Sequence, residues 1–226
     1  MTLGELRSEL ARYLGLDSTT SDGLVAFWDT QLLNDAMRQI EVELNLPRLS
    51  IVVDKATLEA DPEVSLPDAS SVLQIVAAPD RIIPILAEED WAPSSEDRPL
   101  VAYYDYGAIC KDGDPVKVLF LKGESWEWPE SVRIVYQGKH VPLVNETDQP
   151  WGGRYARYHG LIAMRAAMDG LLRLDPGEPE TRLRYTSVAA SYQSMKERLV
   201  EELDHNVSLM SNPMGVGVYW RRSRWS

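Results

Sequence analysis

Cysteine is almost missing from this chain. Cys110 is the only one in 226 residues, which excludes an internal disulfide and any cysteine-rich zinc site. It borders a turn with no histidine near it in sequence, so it reads as a small apolar filler. Histidine is scarce too: His140, His159 and His205 are scattered, and no two are spaced to meet on one helix face. His159, between Tyr158 and Gly160, reads as a structural or a surface residue. No metal and no cofactor are expected. Long apolar runs are also lacking, since none approaches the roughly 18–20 residues needed to cross a bilayer. The opening MTLGELRSEL has no basic stretch followed by an apolar core, so it does not read as a secretory signal. The expectation is a protein made and kept in a reducing cytoplasm, with no membrane partner.

Positive charge is in short supply. Lys and Arg number 23 against 35 Asp and Glu, giving a formal net charge of −12 and a pI near 4.7. Affinity for nucleic acid comes largely from phosphate neutralisation, so an acidic chain is a poor sequence-independent DNA binder. Acidity does suit a surface past which DNA slides without sticking. The imbalance is uneven, however. After Asp204 there is no acidic residue, and the end of the chain carries Arg221, Arg222 and Arg224.

Catalytic signatures are missing as well. There is no G-x-x-x-x-G-K-[ST] phosphate loop and no G-x-S-x-G nucleophile turn. Gly152-Gly153 reads as the turn that starts a helix rather than an anion cradle. Asp112-Gly113-Asp114 lacks the remaining ligands of a calcium loop and reads as a β-turn. Glu124, Glu127 and Glu130 crowd around Trp126 and Trp128. Aromatics beside acids suit sugar recognition, while the plainer reading is a turn-and-edge cluster at a subunit contact. The chain is not expected to be an enzyme.

What is present is a clear alternation of textures. Thr2 and Glu5 form a T-x-x-E capping box ahead of Leu3, Leu6, Leu10 and Leu14, and Gly15 is the stop. Residues 16–27 read as a polar loop. Asp29 is the expected N-cap of a second helix carrying Leu32, Leu33, Ala36, Met37, Ile40 and Leu44, ended by Asn45 and Pro47. From about 50 to 145 the pattern becomes short β-type runs: SIVVD, TLEA, VLQIVAA, RIIPIL, VAYYDY, VKVLFLK and VRIVYQG. Pro, Gly, Asp and Ser punctuate them, and Glu88–Trp91 reads as a single helical turn. Helices return near Trp151, with an apolar stripe of Tyr155, Tyr158, Leu161, Ile162, Met168, Leu171 and Leu172, broken at Asp175-Pro176-Gly177. A last helix from about Glu178 aligns Tyr185, Val188, Ala189, Tyr192, Met195, Leu199 and Leu203.

The fold class is therefore α+β. Each outer helix pair is too short to bury its stripe alone, so a four-helix bundle is expected, built from N- and C-terminal pairs. An antiparallel sandwich or barrel-like unit is inserted in it. The expected divisions are 1–48, the first helix pair; 49–148, the inserted β domain; 149–205, the second pair; and 206–226, an extended C-terminal arm. The arm's Gly, Pro, aromatics and arginines suit a segment that orders on a partner.

In this order the pieces resemble the head-to-tail adaptor (connector) family of tailed bacteriophages, in its form with a β insertion. The resemblance is carried by the TLGELRSELARYLG helix, the W-D-x-x-L-L-N-D-A element at Trp28–Ala36, and Leu66-Pro67 with the VLQIV strand. VRIVYQGKHVPLV and the helix pair from Tyr155 to Leu203 complete it. The resemblance implies a structural virion protein of the neck. It implies a ring of about a dozen copies beneath the portal protein, extending the DNA channel and carrying the next tail or neck protein. DNA would pass through without specific binding. It further implies that the arm, with Tyr219, Trp220, Arg221, Arg222, Arg224 and Trp225, grips the portal. A carbohydrate- or receptor-binding module centred on the β domain, and another neck or tail-completion protein, are the competing readings.

Overall fold

Two apolar clusters organise the chain, one among helices and one between sheets. The computed structural model describes residues 1–16, 23–78, 81–86, 100–104, 115–124, 127–174 and 177–211. Helix α1 (Leu3–Leu14) starts with the expected capping box. Thr2 accepts from the Glu5 N–H while the Glu5 carboxylate accepts from the Thr2 N–H. Gly15 ends it at φ 72°, in the left-handed region that glycine enters without strain.

Helix α2 (Gly23–Leu44) begins six residues before the expected Asp29 cap. Asp29 therefore lies inside the helix. Partial burial raises its carboxyl pKa, opposed by the nearby Arg7 charge. The helix ends as expected, with Asn45 in the left-handed region at φ 52°.

Strand β1 (Arg48–Asp54) leads into a short helix, α3 (Lys55–Ala60). This corrects the expected TLEA strand. The Asp54 side chain accepts from the Thr57 N–H at 2.8 Å, an N-cap that turns the chain helical, and Leu58 is fully buried. Strand β2 (Glu63–Leu66), not foreseen, follows. Then come β3 (Ala69–Ala77), β4 (Arg81–Ile82), β5 (Ile85–Leu86), β6 (Val101–Tyr104), β7 (Val116–Leu121) and β8 (Ser131–Gly138). The expected RIIPIL strand is thus split between β4 and β5 around Pro84, a residue without an N–H to give to a ladder.

Among the described residues the strands form two four-stranded sheets, ordered β1-β8-β3-β4 and β2-β7-β6-β5. All of the described pairs are antiparallel except β5 with β6. Val53, Ile75, Val132 and Ile134 of the first sheet share one core with Val64, Leu66, Val118 and Phe120 of the second. The sheets pack face to face, and among the described residues they do not close into a barrel. Helix α3 joins the edge strands β1 and β2 across one flank, with Leu58 plugged into that core.

The chain re-enters the helical region through two 3-10 turns, Pro150–Gly153 and Ala156–Tyr158, before α4 (Gly160–Leu174). The helix expected from Trp151 therefore starts nine residues later. Trp151 and Tyr155 both have positive φ, a conformation costing about 1–2 kcal/mol per residue, and burial of the Trp151 ring offsets it. Helix α5 (Pro179–Ser211) runs past the expected boundary at Asn206. Leu3, Leu6, Leu10 and Leu14 of α1, the expected α2 stripe, Leu161 and Ile162 of α4, and Val188, Tyr192, Leu199 and Leu203 of α5 share one core. Leu172 is the exception to its expected stripe, at 52% exposed. Its neighbour Leu171, expected in the same stripe, is buried.

Candidate functional site

Helix α2 carries a charge inside its apolar stripe. Glu41 stands four residues after Met37 and three before Leu44, and only 4% of it is exposed. A carboxylate in such a place needs partners, and the fold supplies them from far along the chain. The Trp151 indole N–H donates to Oε1 at 3.0 Å, and His140 Nδ1 meets Oε2 at 2.6 Å. Burial raises the Glu41 pKa, and the hydrogen bonds and charge of His140 pull against that rise. Gln137 adds to the junction, donating from Nε2 to the carbonyls of Glu41 (3.0 Å) and Leu46 (3.1 Å).

The segment 139–149 leaves β8 and crosses onto the helices as a strap. Asn34 of α2 clamps its middle: Oδ1 accepts from the Leu143 N–H at 2.8 Å, and Nδ2 donates to the Leu143 carbonyl at 2.9 Å. Asp148 folds the strap's turn by accepting from the N–H groups of Val144 and Asn145, which lowers its pKa. The start of α1 is tied to the same turn. Leu3 N donates to Asp148 O, Gly4 N to Glu146 O, and Arg7 pairs with Glu146.

His159 completes the junction. Fully buried, it takes the Arg154 carbonyl at 2.6 Å on Nε2 and the Met1 ammonium at 3.1 Å on Nδ1. Nδ1 also lies 3.2 Å from the Met1 carbonyl oxygen. Burial lowers the His159 pKa, and hydrogen bonding to the Arg154 carbonyl pulls the other way. Trp151 meets both Tyr155 and His159 edge to face, at 5.9 and 5.7 Å. Of the structural and surface positions left open by the sequence, His159 takes the buried one.

Two open cavities flank this junction. One of about 500 Å³ is lined by Arg38, Glu41, Ser70, Ser71, Gln137 and His140. The other, of about 280 Å³, is lined by Asp68, Lys139, Val141, Trp151 and Arg154 among others. Gly138 lies between them, where a Cβ would come within 3.0 Å of Pro47 and 3.1 Å of Leu49. With Glu41 satisfied internally on both oxygens, the arrangement locks the β layer to the helices. Among the described residues, no group of three or more His, Cys, Asp or Glu could hold a metal ion.

The residues expected to grip a partner, Tyr219, Trp220, Arg221, Arg222, Arg224 and Trp225, lie outside the described residues. So do Cys110, Asp112, Gly113, Asp114, Trp126 and the expected turn at 88–91. Of the Trp-acid cluster, Trp128 is described: it packs partly on the sandwich core, with the Lys122 ammonium 5.6 Å from its ring. Sequence reasoning did not single out Asn34, Glu41 or Trp151 for the junction. The available signal was Glu41, a charge within an apolar stripe.

Between two helix pairs in the chain lies a β sandwich, held to the helices by this polar junction. No described helix is long and apolar enough to cross a membrane. Residues 1–217 match the SU10 adaptor protein family model, and the chain belongs to that family. It is accordingly a phage adaptor, a structural virion component of the head-to-tail adaptor kind. Among curated proteins none matches it.

Proposed function

We propose that this adaptor assembles as a ring of about a dozen copies beneath the portal, extends the DNA channel, and offers the platform on which the tail is built. The observation that carries the reading is the family match over residues 1–217. In this reading residues 1–48 and 149–205 are two halves of one four-helix bundle, 49–148 form the inserted β domain, and 206–226 act as a C-terminal arm. Support for the division comes from the two separate apolar clusters.

The net charge of −12 suits a conduit that DNA crosses without specific contact. The arm that carries Tyr219, Trp220, Arg221, Arg222, Arg224 and Trp225 docks on the portal. Tyr, Trp and Arg are the residue types most enriched at interface hot spots. The portal and a downstream neck or tail protein are the partners, and the ring is made in the host cytoplasm and kept in the virion neck.

The test is to mix the protein with the portal ring encoded in the same genome and image the product by electron microscopy. A ring under the portal that is lost when the chain ends at Ser211 establishes both adaptor and arm. Binding that survives truncation removes the arm, and failure of both chains to bind at any salt concentration removes the proposal.

A further inference from the structure

Among the described residues strand β1 is a sheet edge, and the outward backbone groups of Ser50 and Val52 are open. Its register with β8 and the flanking bonds Gly138 N to Pro47 O (2.8 Å) and Lys55 N to Glu130 O (3.1 Å) fix the phase of the ladder. In an antiparallel pair, alternate residues bond across the ladder. Pro47, Leu49, Ile51, Val53 and Lys55 therefore face β8. Both backbone groups of Ser50 and Val52 point away from it. The Arg48 N–H, which also points away, is taken by the Tyr155 hydroxyl at 3.2 Å. Ile51 is 39% and Val52 58% exposed. Proteins usually blunt such an edge with charge, proline or cover, yet Ser50 to Val53 carry no charge and no proline.

The flank is also chemically lopsided. Where β1 runs into α3, the exposed acids Asp54, Glu59, Asp61, Glu63 and Glu130 gather against Lys55 and Lys117. Lys117 is already paired with Glu63 at 2.7 Å. An occupant of this edge should be an extended, β-prone segment followed by positive charge. One segment of this chain has that composition: Met214-Gly215-Val216-Gly217-Val218-Tyr219-Trp220, followed by Arg221, Arg222 and Arg224.

Reach permits the match. Tyr158, whose hydroxyl donates to Glu202 of α5 at 2.6 Å, and Tyr155, whose hydroxyl accepts from Arg48 at the start of β1, are close neighbours in sequence. The late turns of α5 thus lie on the side of the molecule where β1 begins. The helix continues from Leu203, its last described core residue, to Ser211, about 12 Å further. Residues 212–226 can span up to about 50 Å more.

We propose that the open edge of β1 receives residues 214–220 of a neighbouring copy of this chain as an added parallel strand. Parallel direction sets Arg221, Arg222 and Arg224 against the acids around α3. A neighbour is the occupant because a ring needs each subunit to give one patch and take a different one. An arm folded onto its own edge would use up both. Main-chain pairing of this kind leaves one face of the added strand's side chains free to meet the portal. The proposal rests on the ring reading and names the contact between its subunits.

The test uses the full-length chain with Cys110→Ser, alone and with the portal. Val52→Cys is combined in turn with Val216→Cys, Gly217→Cys, Val218→Cys, Tyr219→Cys and Trp220→Cys, and oxidised products are resolved without reductant. The expected result is a ladder of linked chains for alternate partners only, as a strand requires. The ladder should weaken several-fold when salt is raised and should vanish with Ser50→Pro. That change removes an outward N–H while sparing the β8 ladder; circular dichroism confirms the fold.

Links within one chain, links insensitive to alternation, ladders that survive Ser50→Pro, or no link in either sample overturn the proposal. So does a link from Val52→Cys to the portal instead. Portal binding without a ladder overturns this contact while keeping the adaptor; a ladder without portal binding does the reverse.

Discussion

Replacing Asn34 by alanine should loosen the strap that carries the β layer on the helices. The side chain makes two long-range hydrogen bonds to the backbone of Leu143, at 2.8 and 2.9 Å. A third, at 3.0 Å, goes to the Thr30 carbonyl one turn back on the same helix and contributes little. Each long-range bond contributes about 1 kcal/mol net, and leaving the buried partner groups unsatisfied adds to the cost. Leu143 is 3% exposed, so water cannot readily replace the lost amide.

The expected loss is about 2–3 kcal/mol, which for a chain of this size lowers Tm by about 4–12 °C. Asn34→Asp is the sharper variant. It keeps an acceptor for the Leu143 N–H but turns a carboxylate oxygen toward the Leu143 carbonyl, and should cost at least as much. Calorimetry gives the stability, and amide hydrogen exchange localises it, with Leu143 losing protection first. If both variants stay within about 0.5 kcal/mol of the parent and Leu143 exchange is unchanged, the clamp is not what holds the strap.

Four further outcomes are expected. The pKa of His159 is depressed by burial, so its contribution to stability is present above the unfolded value of 6.5 and lost as pH falls through the folded one. Thermal denaturation between pH 7.5 and 5 should steepen for the parent and flatten for His159→Gln. Glu41 is raised by burial, so its contribution is complete below the unfolded value of 4.5 and lost as pH rises through the folded one. Glu41→Gln should remove that slope at small cost, whereas Glu41→Ala, which strands the Trp151 N–H and His140, should cost about 3 kcal/mol by urea denaturation. Gly15→Ala places a Cβ at φ 72° and on top of Arg184; it should cost about 1–2 kcal/mol. Phe120→Ala opens the sandwich core and should cost about 3–5 kcal/mol.

Much of the secondary structure was legible because its causes are local. The capping box at Thr2 and Glu5, the glycine stop at Gly15, the Asn45 terminus and the α5 stripe are interactions within a few residues of themselves. Six of the seven expected β runs hold strands for the same reason, since alternation and turn residues act over short distances. TLEA failed because Asp54 capped it. A single side chain tipped a short run whose residues also favour helix. Trp151 was read as helical because aromatic spacing cannot reveal that the ring is drawn inward to Glu41, more than a hundred residues earlier in the chain.

By itself the sequence determined an α+β chain, acidic and poor in cysteine, with helices at both ends and β structure between them. It also carried the ordered motifs by which the adaptor family is recognised. Only the tertiary structure decided that β1 pairs with β8 rather than with a nearby strand, that α3 joins the two edge strands across one flank, and that Glu41, His140, Trp151 and Asn34 bolt the layers together. The physical reason is the same in each case. Local hydrogen bonding and periodicity are written in adjacent residues, whereas register, edges and buried polar contacts depend on which distant groups the cores bring within bonding distance.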